Sequence, residues 1–315
     1  MTGTNRPKLL LVNYHYVRSR DAYPHPGIYP VEPEAFRTQV KWFAERFHMP
    51  SPGQVEAFVH GEGDLPGPSV FLTFDDGLVD HHRVAGEILT PMGIRAAFFV
   101  SSRPLVDRKA LLVHKVHWLR ATTEPAEFRR EFTGLVPRER LESVWREEAE
   151  RAARETYIYD SPEDARLKYL INFLLPNPLA DEVSGRMLRD RGLSEEAFCS
   201  QCYMGERQIR ELARDGHVVG NHGHSHVPFS TLSDEELSLE VRKSKPALEG
   251  ISGEEQRWVS YPYGRTWALP ADPSGFCRRF GFSVGMALDG GWNEKGRKPH
   301  RLMRVNENDV SKVVS

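Results

Sequence analysis

Short apolar runs alternate with amphipathic stretches along most of the chain. The runs that predict strands cover residues 8–15, 69–76, 94–102, 217–222, 257–264, 282–290 and 301–305. The stretches with apolar residues at helical spacing lie between them, at 32–47, 80–93, 206–216, 233–251 and 272–281. Strands that alternate with helices in this way predict a parallel sheet, either open or closed into a barrel.

The alternation stops between about residues 103 and 205. This part is rich in Arg and Glu, as in "RERLESVWREEAERAARE", and its pattern is mostly helical. We expect residues 1–102 and 206–315 to form a (β/α) barrel domain and residues 103–205 to form a helical insertion. Because the insertion follows a predicted strand, its position permits it to cover a site at the strand ends as a lid.

Composition and charge narrow the choice of function. The 315 residues are 39% hydrophobic and 27% charged with a formal net charge of -2, so nothing favours a nucleic-acid or anionic-membrane partner. The apolar run at residues 9–12 is too short for a signal peptide, and no apolar stretch approaches the ~20 residues of a membrane span. The expected location is therefore cytoplasmic. The three cysteines have no framework spacing, which argues against structural disulfides.

Residues with chemical potential follow several of the predicted strands. His15, the Asp75–Asp76 pair, His222 and the Pro262–Tyr263 dipeptide each stand at the carboxyl end of one strand. In a (β/α) barrel these ends converge on one face, where active sites are built. The sequence therefore predicts one site assembled from four separate elements.

A metal ion explains why a buried strand ends in two adjacent carboxylates. Neighbouring carboxylates repel each other, and a cation offsets that repulsion. The segment "GNHGHSHVPFS" supplies His222 and His226, which share a face if the segment turns helically. Two imidazoles and one carboxylate are typical of a catalytic metal site with open positions. One of Asp75 and Asp76 would bind the metal, and the other would accept a proton from water.

Three motifs resemble those of a known family. T-F-D-D-G at 73–77, H-x-x-S-H at 222–226 and Y-P-Y-G at 261–264 are similar to the motifs of the polysaccharide deacetylases, the NodB-homology carbohydrate esterases. The resemblance covers residues 8–102 and 206–305. It implies a distorted (β/α) barrel of about seven parallel strands, here with a large helical insertion. It also implies removal of N- or O-acetyl groups from glycans with a divalent metal, commonly Zn²⁺, with Co²⁺, Ni²⁺ and Mn²⁺ as alternatives.

The resemblance also implies roles for individual residues. Asp75, the first carboxylate of its motif, is implied as the catalytic base. Asp76 is implied as a metal ligand together with His222 and His226. The backbone N–H of Tyr263 is implied to stabilise the oxyanion of the tetrahedral intermediate.

Two departures from the family pattern affect how the site is held. The residue after the first histidine of the second motif is usually Thr or Ser, and here it is Gly223, so a side-chain hydrogen bond that steadies the loop is missing. The arginine that braces the base is replaced by Ser260. Arg304, Arg265 and Arg257 are all candidates to replace that arginine.

A third departure concerns the catalytic acid. The Leu-x-His motif that usually supplies it is not visible, and the nearest match, residues 302–304, ends in arginine. His300, His15 and His224 remain as candidates. Y-P-Y-G without the arginine and an early strand that ends in Tyr-His are both familiar variants, so the departures indicate a subfamily.

Other side chains are assigned by position alone. Substrate contacts are expected from Pro262, Trp267, Trp292 and Arg304. For the two tryptophans, simple core packing is an equal alternative. His81 and His82 follow the acidic pair at a predicted helix start and are expected on the surface.

The favoured function is a metal-dependent deacetylase that hydrolyses the N-acetyl group of an amino sugar. Its substrate would be a glycan or a glycan precursor of surface polysaccharide biosynthesis. One alternative keeps the site and changes the bond, as in a deformylase, an O-deacetylase or another amide hydrolase. The other is a catalytically inactive protein that still binds metal and carbohydrate.

Overall fold

The computed structural model describes residues 6–22, 30–144, 146–157 and 160–314. The chain forms two compact units. The barrel unit consists of the chain up to Arg20, of Pro30–Asp107 and of the chain from Ser200 onward. The helical unit consists of Arg108–Cys199 and a short segment that begins at Asp21.

The described part of the barrel unit contains one sheet of seven parallel strands. They are β1 (Lys8–Tyr14), β2 (Pro68–Phe74), β3 (Ala96–Val100), β4 (Val218–Asn221), β5 (Trp258–Ser260), β6 (Val284–Met286) and β7 (Arg304–Asn306). Their spatial order is β6-β5-β4-β3-β2-β1-β7. A parallel bridge between Met286 and Leu302 joins the β6 edge to the segment before β7. The sheet is thereby a nearly closed barrel, which confirms the predicted distorted (β/α) barrel.

Helices connect the strands and make up the described part of the helical unit. They are α1 (Pro33–Arg46), α2 (Pro52–His60), α3 (Val79–Val84), α4 (Arg103–Val106), α5 (Leu112–Thr122), α6 (Pro125–Leu135), α7 (Arg138–Val144), α8 (Glu147–Thr156), α9 (Pro162–Tyr169), α10 (Asn177–Asp190), α11 (Glu195–Cys202), α12 (Glu206–Arg214), α13 (Asp234–Ser252), α14 (Pro273–Phe280) and α15 (Ser311–Val314). Shorter helical turns cover Ala85–Leu89, Thr90–Met92, Leu170–Leu174, Phe229–Thr231, Thr266–Ala268 and Glu307–Asp309. None of the helices in the described ranges is long and apolar enough to cross a membrane.

Two apolar layers account for the continuous hydrophobic runs of the strands. Every second residue of a strand faces the same side of the sheet. On one side, Leu11 of β1 and Phe71 of β2 lie in a buried cluster with residues of α2, β3, β5 and β6. The residues between them, such as Val12, lie in a second cluster with Phe36 and Val40 of α1. Because both faces of a parallel sheet are covered, its strands are apolar on both sides.

The start of α13 is fixed by the capping box predicted from the sequence. The Ser233 hydroxyl accepts a hydrogen bond from the Glu236 N–H at 3.3 Å, and the Ser233 N–H donates to the Glu236 carboxylate at 2.8 Å. Such a box satisfies two backbone donors at a helix start. It sets the register of α13, and Glu240 therefore follows one turn after Glu236.

A buried ion cluster holds three helices of the helical unit together. Lys115 of α5 is fully buried, and its Nζ lies 2.9 Å from Asp181 of α10 and 2.9 Å from Glu195 of α11. A Cβ at Gly185 would lie 2.8 Å from the Glu195 carboxylate, so glycine at this position lets the Glu195 side chain reach Lys115 without a shift. The role of residues 103–205 as a lid stays a prediction.

Candidate active site

The barrel brings four of the predicted strand ends to one edge of the sheet. His15 follows β1, Asp75 and Asp76 follow β2, His222 follows β4, and Tyr263 follows β5. The two carboxylates are only 3% and 4% exposed, and His222 is 1% exposed. Asp75 donates its backbone N–H to the carbonyl of Tyr14 on β1, which extends the parallel pairing up to the carboxylate itself.

Three side chains lie close enough to share a metal ion. The Oδ1 atom of Asp76 is 3.3 Å from Nε2 of His222 and 3.2 Å from Nε2 of His226. All three donor atoms lie within 4.8 Å of one another. Ligands that bind a tetrahedral Zn²⁺ at 2.0–2.1 Å are about 3.3 Å apart. The separations in this cluster therefore fit a divalent cation of that size.

The hydrogen bonding of His222 also fits a metal ligand. Its Nδ1 lies 2.7 Å from the carbonyl oxygen of Ser260, which can only accept, so Nδ1 carries the proton. The neutral imidazole then has its lone pair on Nε2, the atom that faces Asp76. Burial lowers the pKa of His222, but the Asp75 and Asp76 carboxylates outweigh it and raise the pKa above its usual value. The pocket therefore favours a positive charge at this point.

Left-handed backbone conformations mark the same site. Asp76 has a φ of 81°, His226 of 57° and Tyr263 of 64°. In the described ranges only two other non-glycine residues, Arg108 and Lys298, have a positive φ. Such conformations are strained for residues with a Cβ and persist where the surroundings enforce them. The segments after β2, β4 and β5 thus hold Asp76, His226 and Tyr263 in backbone conformations that are unfavourable by themselves.

Arg304 takes up the position beside the proposed base. Its Nη1 donates to Oδ1 of Asp75 at 2.9 Å and its Nη2 donates to Oδ2 at 2.8 Å. Nη2 also donates to the Ser260 hydroxyl at 2.8 Å. The guanidinium therefore reaches residue 260, where the family usually has an arginine, from a different strand. Arg257 and Arg265, the other two candidates, make their hydrogen bonds on the exposed surface.

This ion pair keeps the Asp75 carboxyl ionised. Burial by itself would raise the pKa of Asp75. The charge and hydrogen bonds of Arg304, with smaller effects of His222 and His15, hold that pKa well below its usual range. Arg304 is 1% exposed, and its guanidinium contacts Asp75 inside the protein. It does not lie at the surface, where the predicted contact with a substrate would require it.

His15 lies within electrostatic reach of the base. Its charge lowers the pKa of Asp75, and it opposes the burial that raises the pKa of Glu307, the residue after β7. The His15 carbonyl accepts a hydrogen bond from Nε2 of His81 at 2.9 Å. His81 is fully buried, and burial lowers its pKa to about 4. The prediction of a surface position for His81 was therefore wrong, because this helix start packs against the sheet.

The other two acid candidates, His300 and His224, interact with groups other than Asp75. Burial, followed by the charges of His60 and Arg278, lowers the pKa of His300. Both ring nitrogens of His224 are engaged elsewhere. Nδ1 lies 2.9 Å from the Ser102 hydroxyl and Nε2 lies 3.1 Å from the Asp107 carboxylate.

Aromatic rings extend outward from the histidine pair. The Tyr263 ring centroid lies 5.1 Å from that of His226 and 5.5 Å from that of Trp267. Trp267 is 44% exposed. Trp292 instead packs against Phe47, with 6.1 Å between the ring centroids, and its Nε1 donates to the Val313 carbonyl. Of the two tryptophans from which substrate contacts were expected, the structure therefore joins only Trp267 to the site.

The turn that carries Pro262 and Tyr263 has little freedom. Gly264 has a φ of 65°, and its carbonyl accepts a hydrogen bond from the Leu288 N–H at 2.7 Å. A Cβ at Gly264 would lie 2.7 Å from Cβ of Leu288. Only glycine fits this approach, and the turn is thereby fixed against the loop after β6.

One residue that holds the histidine loop was not found in the sequence. Glu240 of α13 accepts hydrogen bonds from the backbone N–H groups of His224 and Ser225. No spacing rule connects a helix glutamate to a loop 15 residues earlier, so no signal in the sequence identified it.

A family match covers part of this site. The polysaccharide deacetylase family model matches residues 185–270. This segment contains His222, His226 and Tyr263, and it lies after Asp75 and Asp76.

Curated relatives match a shorter length of chain. The peptidoglycan-N-acetylglucosamine deacetylase of Bacillus cereus is 29% identical over 56 residues, which is 18% of this chain and 20% of that protein. The uncharacterized protein YlxY of Bacillus subtilis is 31% identical over 55 residues, 18% of this chain and 17% of that protein. The matched part thus spans about a fifth of each relative's length.

Solved structures resemble the chain over almost its whole length. IcaB from Ammonifex degensii has a TM-score of 0.58 at 18% identity, covering 96% of this chain and 94% of that one. The Streptococcus pyogenes deacetylase PplD, in complex with acetate, has a TM-score of 0.57 at 16% identity, covering 95% and 92%. These likenesses show the fold. Together, the comparisons confirm the resemblance of this chain to the polysaccharide deacetylases.

Proposed function

We propose that this protein is a metal-dependent deacetylase that hydrolyses the N-acetyl group of an amino sugar in a glycan or glycan precursor. One observation carries the proposal. A set of donors at coordinating distance, Asp76, His222 and His226, lies beside a second carboxylate, Asp75, that an arginine keeps ionised. A role in surface polysaccharide biosynthesis and a cytoplasmic location stay predictions from the sequence.

Asp76, His222 and His226 would hold the metal. Two imidazole nitrogens and one carboxylate oxygen are typical of catalytic Zn²⁺ sites, which keep further positions open. Co²⁺, Ni²⁺ or Mn²⁺ could bind the same donors. When bound, the ion would supply Lewis acidity, which polarises the acetamide carbonyl and lowers the pKa of water.

Asp75 is the proposed general base. Its low pKa keeps it ionised across the neutral range, so it is available to accept a proton from the attacking water. The two-point contact with Arg304 fixes the direction of its carboxylate. The backbone N–H of Tyr263, in the rigid turn after β5, is the proposed donor to the oxyanion that forms when water adds to the carbonyl.

His15 is the proposed general acid. An amine is a poor leaving group until it is protonated, so collapse of the tetrahedral intermediate requires a proton donor near the nitrogen. Of the three histidine candidates, His15 is the one whose charge acts on Asp75. The hydrogen bond from the buried His81 to the His15 carbonyl fixes the backbone that carries this side chain.

The exposed ring of Trp267 is the proposed platform for a sugar ring. It continues the line of rings that begins at His226 and Tyr263, so a pyranose stacked on it would present its acetamido group toward the histidines. Pro262 lies in the same turn. This arrangement suits a chain of sugars better than an isolated acetamide, because the platform lies beside the metal ligands and not on them.

The test combines metal analysis with acetate release from N-acetylglucosamine oligomers. We expect the purified protein to bind about one equivalent of Zn²⁺, and we expect H222A to lose both the metal and the activity. D75N should retain the metal and lose activity by about 10²- to 10⁴-fold. H60Q, which alters an exposed histidine at the end of α2, is the matched control and should behave as the wild type.

Other outcomes of the same experiment point to other functions. Full activity in D75N would refute the base assignment. Release of formate from N-formyl sugars, or of acetate from O-acetyl sugars alone, would identify the deformylase or the O-deacetylase. Binding of zinc and oligomer without acetate release under any metal would identify an inactive binding protein.

A further inference from the structure

The loop between the two proposed histidine ligands cannot hold itself with its own first side chain. Gly223 has a φ of 72°, a left-handed conformation that disfavours a residue with a Cβ. A Cβ there would lie 3.2 Å from Oε2 of Glu240 and 3.2 Å from the Phe229 ring. Residue 223 therefore lacks the hydroxyl that the family usually has at this position. A side chain from another element occupies the space beside Gly223.

Glu240 fills that space from α13. Its Oε2 accepts hydrogen bonds from the His224 N–H at 2.7 Å and from the Ser225 N–H at 2.9 Å. Its Oε1 accepts a short hydrogen bond from the Ser225 hydroxyl. One carboxylate thus satisfies three donors in two consecutive residues. Hydrogen bonds to an ionised acceptor are about twice as strong as neutral ones, so this contact is a strong one for the loop.

The position of this contact gives it a direct effect on the metal site. Residues 224 and 225 are the last two of the three residues between His222 and His226, and His226 itself has a left-handed φ of 57°. A strained conformation of this kind persists when its neighbours are held. Glu240 fixes the backbone directly before His226. It thereby fixes the position at which Nε2 of His226 approaches the Asp76 carboxylate.

The opposite side of the loop has its own anchors. The Ser102 N–H donates to the Gly223 carbonyl at 3.2 Å, and the Arg103 N–H donates to the His224 carbonyl at 3.0 Å. The His224 ring bridges Ser102 and Asp107. These contacts hold the carbonyl side of the loop. On its N–H side, Asn221 accepts from the Gly223 N–H at 2.9 Å, and Glu240 accepts from the N–H groups of His224 and Ser225.

We propose that Glu240 is a positioning residue for the metal site, which holds the N–H side of the loop so that His222 and His226 meet Asp76 at coordinating distance. The proposal rests on the proposed function, because it presupposes that these three residues bind a metal. In this role Glu240 acts through the loop and contacts neither the metal nor the substrate.

The test measures zinc affinity directly, by competition of the full-length, metal-free protein with a chromophoric chelator. We expect E240A to bind Zn²⁺ about 10- to 100-fold more weakly than the wild type. E240Q keeps an oxygen for the two N–H groups and should stay within about threefold. E235A removes an exposed glutamate of the same helix and should bind as the wild type does.

A second variant guards against a general loss of structure. S225A removes one of the three hydrogen bonds and leaves both backbone contacts, so we expect zinc to bind about two- to fivefold more weakly. Circular dichroism at the temperature of the titration checks that each variant is folded. If E240A does not fold, S225A decides the matter: zinc binding about two- to fivefold weaker than in the wild type supports the role of Glu240, and binding within twofold overturns it.

The outcomes separate this proposal from the one on which it rests. Wild-type protein that binds no zinc would contradict the metal site itself. Wild-type protein that binds zinc, with folded E240A or S225A binding it within twofold of the wild type, would overturn the role of Glu240 and leave the metal site intact.

Discussion

Arg304 and Asp75 form a buried ion pair in which two guanidinium nitrogens each donate to a separate carboxylate oxygen, at 2.9 and 2.8 Å. The residues are 229 positions apart in the chain. They meet because β1 pairs with β2 on one side and with β7 on the other. An arginine of the last strand, β7, thus lowers the pKa of a residue that directly follows the second strand, β2.

Loss of Arg304 should damage both stability and activity. R304M leaves the Asp75 carboxylate buried without its partner, which costs about 3–5 kcal/mol in the free energy of unfolding. We also expect kcat to fall at least about tenfold, because the base loses its orientation. Urea denaturation of the metal-free protein and acetate release measure the two effects.

A double variant separates the ion pair from the packing around it. D75N/R304M removes both charges and should be more stable than R304M alone, because no buried charge is left uncompensated. R301M, which alters a partly exposed arginine in the segment before β7, should lower both quantities much less than R304M does, because its ion pair with Asp289 is not fully buried. Equal stability of R304M and the wild type would contradict the importance of the pair.

Replacement of His15 should affect amide hydrolysis more than ester hydrolysis. H15Q removes the proposed proton donor, so kcat for the N-acetyl sugar should fall by about 10²- to 10³-fold. Hydrolysis of 4-nitrophenyl acetate should fall much less, since its leaving phenolate needs no proton. H300Q is the comparison variant. A large loss in H300Q with none in H15Q would assign the acid to His300.

Replacement of Trp267 should weaken substrate binding more than catalysis. W267A removes the exposed ring next to Tyr263, so KM for an N-acetylglucosamine oligomer should rise about 5- to 20-fold while kcat stays within about threefold. W267F should recover part of the loss. L239A removes another exposed apolar side chain, on α13, and should leave KM unchanged. Unchanged KM in W267A would exclude the platform.

The buried His217 should make folding less stable in acid. Its Nδ1 accepts from the Ala96 N–H at 3.2 Å, and its Nε2 lies 3.0 Å from the Thr90 hydroxyl. Burial, followed by the charge of Arg95, lowers the pKa of His217 from 6.5 to about 4. Below pH 6.5 the His217 side chain is protonated in the unfolded chain but stays neutral in the folded chain. The contribution of neutral His217 to the free energy of unfolding is therefore fully present above pH 6.5 and declines as the pH falls toward 4.

The size of this effect can be measured with a variant that does not titrate. Between about pH 7.5 and 5, His217 should account for roughly 2 kcal/mol of the fall in unfolding free energy. H217Q keeps a donor and an acceptor on the same side chain, so its stability should decline less over this range. His81, with a similarly lowered pKa, should account for part of the remaining decline. A parallel decline in H217Q and the wild type would contradict the prediction.

The strand-end residues were the part of the site that the sequence could predict. Asp75, Asp76 and His222 each follow a buried strand, and parallel strands bring their carboxyl ends to one edge. The parallel sheet followed from the same alternation of apolar runs and helices, and its closure into a distorted barrel was implied by the resemblance of the three motifs to the polysaccharide deacetylases. These features depend on local periodicity, which a single sequence records.

Contacts between distant side chains could not be predicted in the same way. Arg304, Arg265 and Arg257 were equal candidates in the sequence, and Trp267 and Trp292 were equal as well. Which arginine reaches Asp75 depends on the pairing of β1 with β7, and which tryptophan stays exposed depends on the packing of the loop after β6.

The sequence by itself determined the (β/α) barrel and the residues at its strand ends, because apolar periodicity and short motifs are local properties of the chain. Only the tertiary structure decided that Arg304 braces Asp75, that His81 is buried, and that Glu240 holds the loop between the two histidines. Each of these depends on the position of one side chain relative to a backbone far away in sequence, and that position exists only when the barrel is folded.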